Sequence, residues 1–366
     1  MSKGKILGFG EVMLRLCPPG AQRFRQALPG TLTATFGGGE ANVCASVAMM
    51  GSPSVYLTAL PDHEVAGSFI TQMRGLGVDT SPVALKKDSR MGIYFVEAGN
   101  NQRASQVIYD RAYSAIALAG PEDYDFEAAL QGVDHLHISG ITPSLSEAAF
   151  QSTLALVKLA SARGVRVSCD LNYRKKLWNW HPELKKKALA RDCMTRILPY
   201  VDLVIANEED AADVLDIHAE NTSITTGEIE ASAYEQVARS IIGQFANVRQ
   251  VAITLRESIS ASHNNWGAML FDKKTDRACF APLDAEGRYA PYEIRDIVDR
   301  VGGGDSFAAG LIHALNSDDF AAPELAIRFA VAASCLKHTI QGDFNYVTRQ
   351  EVIALMEGDA SGRVRR

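Results

Sequence analysis

No C-x-x-C pair occurs in this chain, and its six cysteines (Cys17, Cys44, Cys169, Cys193, Cys279 and Cys335) are scattered over 366 residues, unlike the dense spacing of a disulfide scaffold. A reducing, cytoplasmic setting is the expectation. Positive charge is not in excess either: 37 lysines and arginines face 43 acidic residues, for a net charge of −6. Neither nucleic acid nor a membrane surface is therefore an expected partner, and any anionic ligand must meet a local cationic site. No unbroken apolar run approaches the ~18 residues of a bilayer span. At the N-terminus, Glu11 and Arg15 interrupt the apolar stretch too early for a signal peptide. The pattern G-x-x-x-x-G-K-[ST] is absent, which excludes a P-loop enzyme. Gly8-Phe9-Gly10 imitates a dinucleotide fingerprint, but Met13 stands where its third glycine belongs. His135 and His137 share one strand face, yet no further ligands come with them to make a metal site. Repeats and low-complexity tracts are missing, and the basic tail Arg363-Val364-Arg365-Arg366 reads as a solvated terminus.

What is present is an ordinary globular composition, 47% hydrophobic and 22% charged. From residue 37 onward, short apolar runs alternate with segments of helical period, the rhythm of an α/β fold with a doubly wound, mostly parallel sheet flanked by helices. Strands are expected at Ser54–Ala59, His135–Ser139, Val165–Asp170, Leu203–Ala206 and Val251–Leu255. Helices are expected at about Glu40–Met50, Glu64–Leu76, Leu145–Arg163, Glu183–Leu198, Tyr234–Phe245, Ser306–Leu315 and Pro323–His338. Arg15–Phe36 and Met91–Arg111 break the rhythm and read as a small antiparallel sheet inserted on that domain. The division is residues 1–14, 37–88 and 112–366 for the α/β domain, and 15–36 and 89–111 for the β lid. Exposed edges of such a sheet admit a homodimer through the lid.

The strongest chemical signal is Asp299-Arg300-Val301-Gly302-Gly303-Gly304-Asp305-Ser306-Phe307, followed by an apolar helical segment. Three glycines can turn successive N–H groups toward one point, and a helix starting beyond them adds its free donors and dipole, so the segment has the form of an anion site. Asp305 inside it is either a helix N-cap or a carboxylate that takes a proton from an attacking hydroxyl. Near the other end lies Phe36-Gly37-Gly38-Gly39-Glu40-Ala41-Asn42. Its glycines let backbone approach a ligand closely, and Asn42 can both donate hydrogen bonds and accept them.

Asp299 to Asp305 resembles the D-T-x-G-A-G-D signature of the ribokinase-like (PfkB) carbohydrate kinases, with Arg300 for Thr and Gly303 for Ala. Gly37 to Asn42 resembles the family's N-terminal G-G-x-x-x-N element, so the likeness spans nearly the whole chain. It implies a ribokinase-like fold with a β-sheet lid, ATP and Mg2+ as cofactors, and leaves open a monovalent cation such as K+. Asp305 would be the catalytic base, and Gly302, Gly303 and Gly304 the anion hole. Asn207-Glu208-Glu209-Asp210 is similar to the family's N-x-x-E element. Asn207 would bind at the nucleotide, and Asp210 or Glu209 would act on magnesium through water.

Within the family, the branch acting on 2-keto-3-deoxygluconate is most similar. The likeness rests on Gly10-Glu11, Met13-Leu14-Arg15-Leu16, Tyr109-Asp110-Arg111, Asp170-Leu171-Asn172-Tyr173-Arg174, and Lys337-His338-Thr339-Ile340 with Gly342-Asp343-Phe344-Asn345. A sugar acid needs a charge-assisted partner for its carboxylate, which Arg111 and Arg174 would supply. Gly38, Asn42, Tyr94, Tyr109, Asn172 and Asp305 would complete the substrate pocket. Thr254, Arg256, Ser334 and His338 are expected around the adenine, and Arg300 as a cation near the phosphates. The alternatives are another sugar kinase of the family, fructokinase or ribokinase-like, and a non-catalytic module that binds a sugar acid.

Overall fold

The computed structural model describes residues 4–207, 209–218 and 231–358; the basic tail lies outside them. A ten-stranded sheet forms the centre. From one edge its order is Arg277–Ala281, His263–Asp272, Gln250–Ser260, Leu203–Ala206, Arg166–Asp170, Val133–Ser139, Lys5–Phe9, Ser54–Leu57 and Val78–Asp79, with Tyr292–Ile294 paired to His263–Asp272. From Gln250–Ser260 to Val78–Asp79 every pairing is parallel, while the far edge is antiparallel. The fold is thus the expected ribokinase-like α/β sheet flanked by helices, with a separate small sheet.

Alternation along each strand sends side chains to opposite faces, which fixes two cores. Leu7, Phe9, Val204 and Ala206 pack on one side with residues of the helices Glu147–Ala162 and Lys186–Ile197. Ile6, Leu203 and Ile205 pack on the other with the helices Gly39–Met49, Gly303–Leu315 and Pro323–Lys337. His135 and His137 lie fully inside, both bonded at 2.9 Å to the hydroxyl of Ser168. Burial holds His137 down at about 3, so it stays neutral.

Three expectations change. Ser54–Ala59 divides at Thr58, and Ala59–Pro61 leaves to pair with Ala84–Lys86. The antiparallel strand His263–Asp272 was not anticipated, because its first half alternates around polar Asn264 and Asn265 and lacks an apolar run. The small sheet, ordered Thr33–Gly37, Met13–Cys17, Gly92–Glu97, Gln106–Asp110, is mixed rather than antiparallel, since its central pair runs parallel. It also begins at Met13, two residues before the expected boundary.

Arg15, in the middle of that sheet, reaches back to the main body. Its Nη2 donates to Asp299 Oδ2 at 2.6 Å and its Nη1 to Asp343 Oδ1 at 2.7 Å, with all three side chains nearly inaccessible to water. Burial opposes the guanidinium charge and the two carboxylates restore it, raising its pKa overall. Arg15→Ala would strand two buried carboxylates and should cost about 3–5 kcal/mol in urea unfolding. A loss below about 1 kcal/mol would make this an ordinary surface pair.

Candidate active site

The helix expected from Ser306 starts earlier, at Gly303, so two of the three glycines form its first turn and contribute its unpaired N–H donors. Gly302 precedes them with φ +83°, a left-handed turn that disfavours any side chain. Asp299 sets this turn. Its Oδ1 accepts from Val301 N at 3.0 Å, and its Oδ2 accepts from Gly342 N at 3.1 Å as well as from Arg15. Ser334 donates to the Gly303 carbonyl at 2.7 Å, and His338 donates from Nδ1 to the Ser334 carbonyl at 2.8 Å. Both residues were expected around the adenine; both are buried, Ser334 completely, and they brace the turn from behind.

Asp305 and Asn42 come together across 263 positions of sequence: Asn42 Nδ2 donates to Asp305 Oδ2 at 2.6 Å, while Asn42 Oδ1 accepts from Gly38 N at 3.2 Å. Gly38 lies so close to the backbone of Glu11 and Val12 that a Cβ would collide with it. Burial pushes the Asp305 carboxyl up to about 6, and the Asn42 bond draws it back. Glu40, given no role from sequence, is buried beside them and raised by burial to about 7, with Ser139 donating to it at 2.6 Å. Glu40 also explains the false fingerprint. Its carboxylate fills the space above Gly10, and Cys44 fills that above Gly8, so these glycines admit a helix and not a pyrophosphate.

A second group gathers at the end of Arg166–Asp170. Asp170 is pushed well above the usual carboxylate range by burial and by Asp210 and Asp305. Asn172, at φ +37°, donates its N–H back to Asp170. Asp210 is buried and raised to about 6 by burial; its oxygens accept from Tyr173 N and Asn207 N. Glu209 instead faces solvent beside Lys175. Of the two candidates for the magnesium shell, Asp210 is the one turned inward.

Arg111, Arg174 and Tyr109 line one cavity of about 290 Å3 with Tyr173, Lys175, Lys176 and Leu177. Tyr94 is buried behind it, its ring stacked on Tyr109 at 6.2 Å. Arg111 is not free: Nη2 pairs with buried Glu11, whose other oxygen accepts from Ser114 at 2.7 Å. The Arg111 Nε is buried with no hydrogen-bond partner among the described residues. Arg174 is exposed, and its charge opposes the rise in Asp305, Asp170 and Asp210.

On the antiparallel side, Arg300 donates to Ser260 O at 2.9 Å and Asn264 Oδ1 at 2.8 Å. Burial and Arg256 both disfavour its charge. Thr254 and exposed Arg256 lie on the neighbouring strand Gln250–Ser260.

A glycine turn at a helix N-terminus, with a carboxylate raised by burial in its first turn, is an arrangement suited to a phosphotransferase acting on an alcohol. Residues 5–255 match the family described as pfkB family carbohydrate kinase, and the chain belongs to that family. It is similar to the 2-dehydro-3-deoxygluconokinase of Thermotoga maritima, with 41% identity, coverage of 97% of this chain and 100% of that one, and a TM-score of 0.86. It is also similar to a PfkB family carbohydrate kinase of Listeria grayi, with 29% identity, coverage of 96% and 99%, and a TM-score of 0.83. The 2-dehydro-3-deoxygalactonokinase of Haloferax volcanii is 28% identical over 358 residues, 98% of both chains. The chain is a carbohydrate kinase.

The raised carboxylate carries a stability cost whose sign is fixed. Asp305 holds its proton more tightly folded, at about 6, than at its ordinary 3.8. Its ionisation therefore destabilises the fold progressively from pH 4 to 6 and constantly above. Asp305→Asn should accordingly stabilise the ligand-free protein at pH 8 by up to about 3 kcal/mol and have little effect near pH 4. Equal effects at both pH values in denaturant titrations would remove the desolvated carboxylate as the cause.

Proposed function

We propose that the chain transfers the γ-phosphoryl group of ATP to a terminal hydroxyl of 2-keto-3-deoxygluconate, giving 2-keto-3-deoxy-6-phosphogluconate. The observation that carries this reading is the cavity shared by Arg111, Arg174 and Tyr109, with the Arg174 charge felt at Asp305. Two guanidinium groups in one small cavity suit a carboxylate, which a neutral sugar does not have. The buried Arg111 Nε would gain an acceptor on binding it. Gly38, Asn42, Tyr94 and Asn172 frame the same side. The full-length likeness to a 2-dehydro-3-deoxygalactonokinase favours one second reading, the C4 epimer of the same acid, so both epimers belong in the assay.

Asp305 takes the proton of the attacking hydroxyl, and Asn42 holds the carboxylate in line with it. With a pKa of about 6, Asp305 is ionised at neutral pH and is a stronger base than an ordinary aspartate. N–H groups of the turn Gly302–Gly304 and of Asp305 face the charge that develops on the transferring group. Thr254, Arg256 and Arg300 would receive the nucleotide, with Ser334 and His338 acting on it through the turn they brace. Asp210, buried and turned inward beside Asp170, offers hard oxygens of the kind that suit a magnesium ion keeping its hydration shell, although no cluster of three metal-ligating side chains occurs among the described residues. Asp210 and Asn207 would hold it through water, and it would neutralise the β- and γ-phosphates. The small sheet would exclude water as a competing acceptor. Its outer strand Gln106–Asp110, with Ile108 exposed, supports pairing of two copies through this sheet.

Asp305→Asn should lower kcat by roughly two orders of magnitude or more with modest change in KM. In the wild type, kcat/KM should fall with decreasing pH through about 6, as the base is protonated. Near-normal turnover by the variant would remove Asp305 from the mechanism. Arg174→Ala and Arg111→Ala should each lower kcat/KM for the keto acid roughly thirtyfold or more, while residual activity on fructose changes far less. If both substrates decline alike, or a neutral sugar is preferred, the specificity fails and the kinase remains.

A further inference from the structure

A lysine lies completely buried beneath the anion-binding turn. Lys337, the last residue of the helix Pro323–Lys337, has no accessible surface, and its Nζ donates to the Ile340 carbonyl at 3.0 Å. The ideal Cβ position of Gly302 is 3.3 Å from Lys337 Cε, so the stem of this side chain underlies the left-handed turn. Asp299, Asp343 and Asp305 face the ammonium and favour its charge, burial and Arg15 oppose it, and the net result is a pKa below the ordinary lysine value.

The resemblance of the sequence leaves a monovalent cation open, and such an ion needs a nest of carbonyl and carboxylate oxygens with lone pairs to give. Beneath this turn four such oxygens already accept hydrogen bonds. Both oxygens of Asp299 accept from Val301 N, Gly342 N and Arg15; Asp343 Oδ1 accepts from Arg15; the Ile340 carbonyl accepts from Lys337. The positive charge a metal ion would bring there is already supplied by two fixed cations, Arg15 and Lys337.

We infer that Lys337 is a positioning residue: its ammonium supplies, from within the chain, the positive charge beneath the Gly302–Gly304 turn, so that phosphoryl transfer needs no monovalent metal ion. This rests on the anion-hole reading above. The ammonium acts through the turn by holding the Ile340 loop and offsetting three carboxylates, so that the N–H groups above it stay directed at the transferring group. Lys337 differs in this from a charged group touching the phosphates.

The test compares turnover in buffers containing only tetramethylammonium with turnover after addition of K+ or Na+. Wild-type kcat should change by less than about twofold. Lys337→Met should lose roughly tenfold or more in kcat with little change in KM for the sugar. Lys337→Ala should recover part of that loss with methylammonium or K+, and the same ions should raise its melting temperature in the absence of ATP. A purely structural lysine would give no such rescue. Severalfold stimulation of the wild type by K+, or an unchanged kcat in Lys337→Met, would overturn the inference. Should both variants fail to fold, the wild-type ion comparison decides alone. Failure of the anion-hole reading is seen separately, as an active Asp305→Asn.

Discussion

One buried guanidinium holds the two sheets in a working relation. Arg15 spends two donors on Asp299 and on Asp343 in the loop after the helix Pro323–Lys337, and Asp299 in turn accepts from Val301 N in the glycine turn and from Gly342 N in that loop. Without a charge of the right shape at that point, two desolvated carboxylates would repel each other under the N-terminus of a helix. A lysine could not replace it, because only the planar fork reaches both acceptors at once. The small sheet, the turn and the C-terminal loop therefore share one electrostatic anchor.

Around this anchor the site is a negotiation between like charges. Asp305, Asp170, Asp210 and Glu40 are all held above their ordinary range, chiefly by burial. Such a cluster stores unfavourable energy in the free protein and releases it when cationic or proton-donating ligands arrive. Arg174, unlike Arg111, stays in solvent with its charge directed at this group, which suits a residue that meets its ligand late.

Much of this was legible in the sequence because it is local. Asp299 to Asp305 and Gly37 to Asn42 are contiguous, and the parallel strands are apolar runs with a readable period. Other features depend on contacts between distant segments. Nothing near Arg15 in the chain announces partners 284 and 328 positions away. Glu11 and Lys337 were visible only as points of likeness, since their burial is decided by packing. Ser334 and His338 lie close to the turn in space, but whether they face a ligand or the reverse of the turn is settled by the rotation of a helix. The strand His263–Asp272 escaped notice because its first half, which pairs with Tyr292–Ile294, alternates around polar Asn264 and Asn265 and offers no apolar run.

The build of the small sheet from two separately inserted hairpins has a mechanical consequence. A single antiparallel hairpin would hang from the main body by two backbones, like a flap on a hinge. Here the chain passes between the sheets four times, at Phe9 to Met13, Gly37 to Gly39, Lys86 to Gly92 and Asp110 to Ala115. All four strands are rooted separately, so swinging the sheet as a rigid plate would require four connections to yield together. The remote end is tethered as well, since Ala261 N, in the turn between Gln250–Ser260 and His263–Asp272, donates to the Asn101 carbonyl at 2.7 Å, so the sheet is a span fixed at both ends.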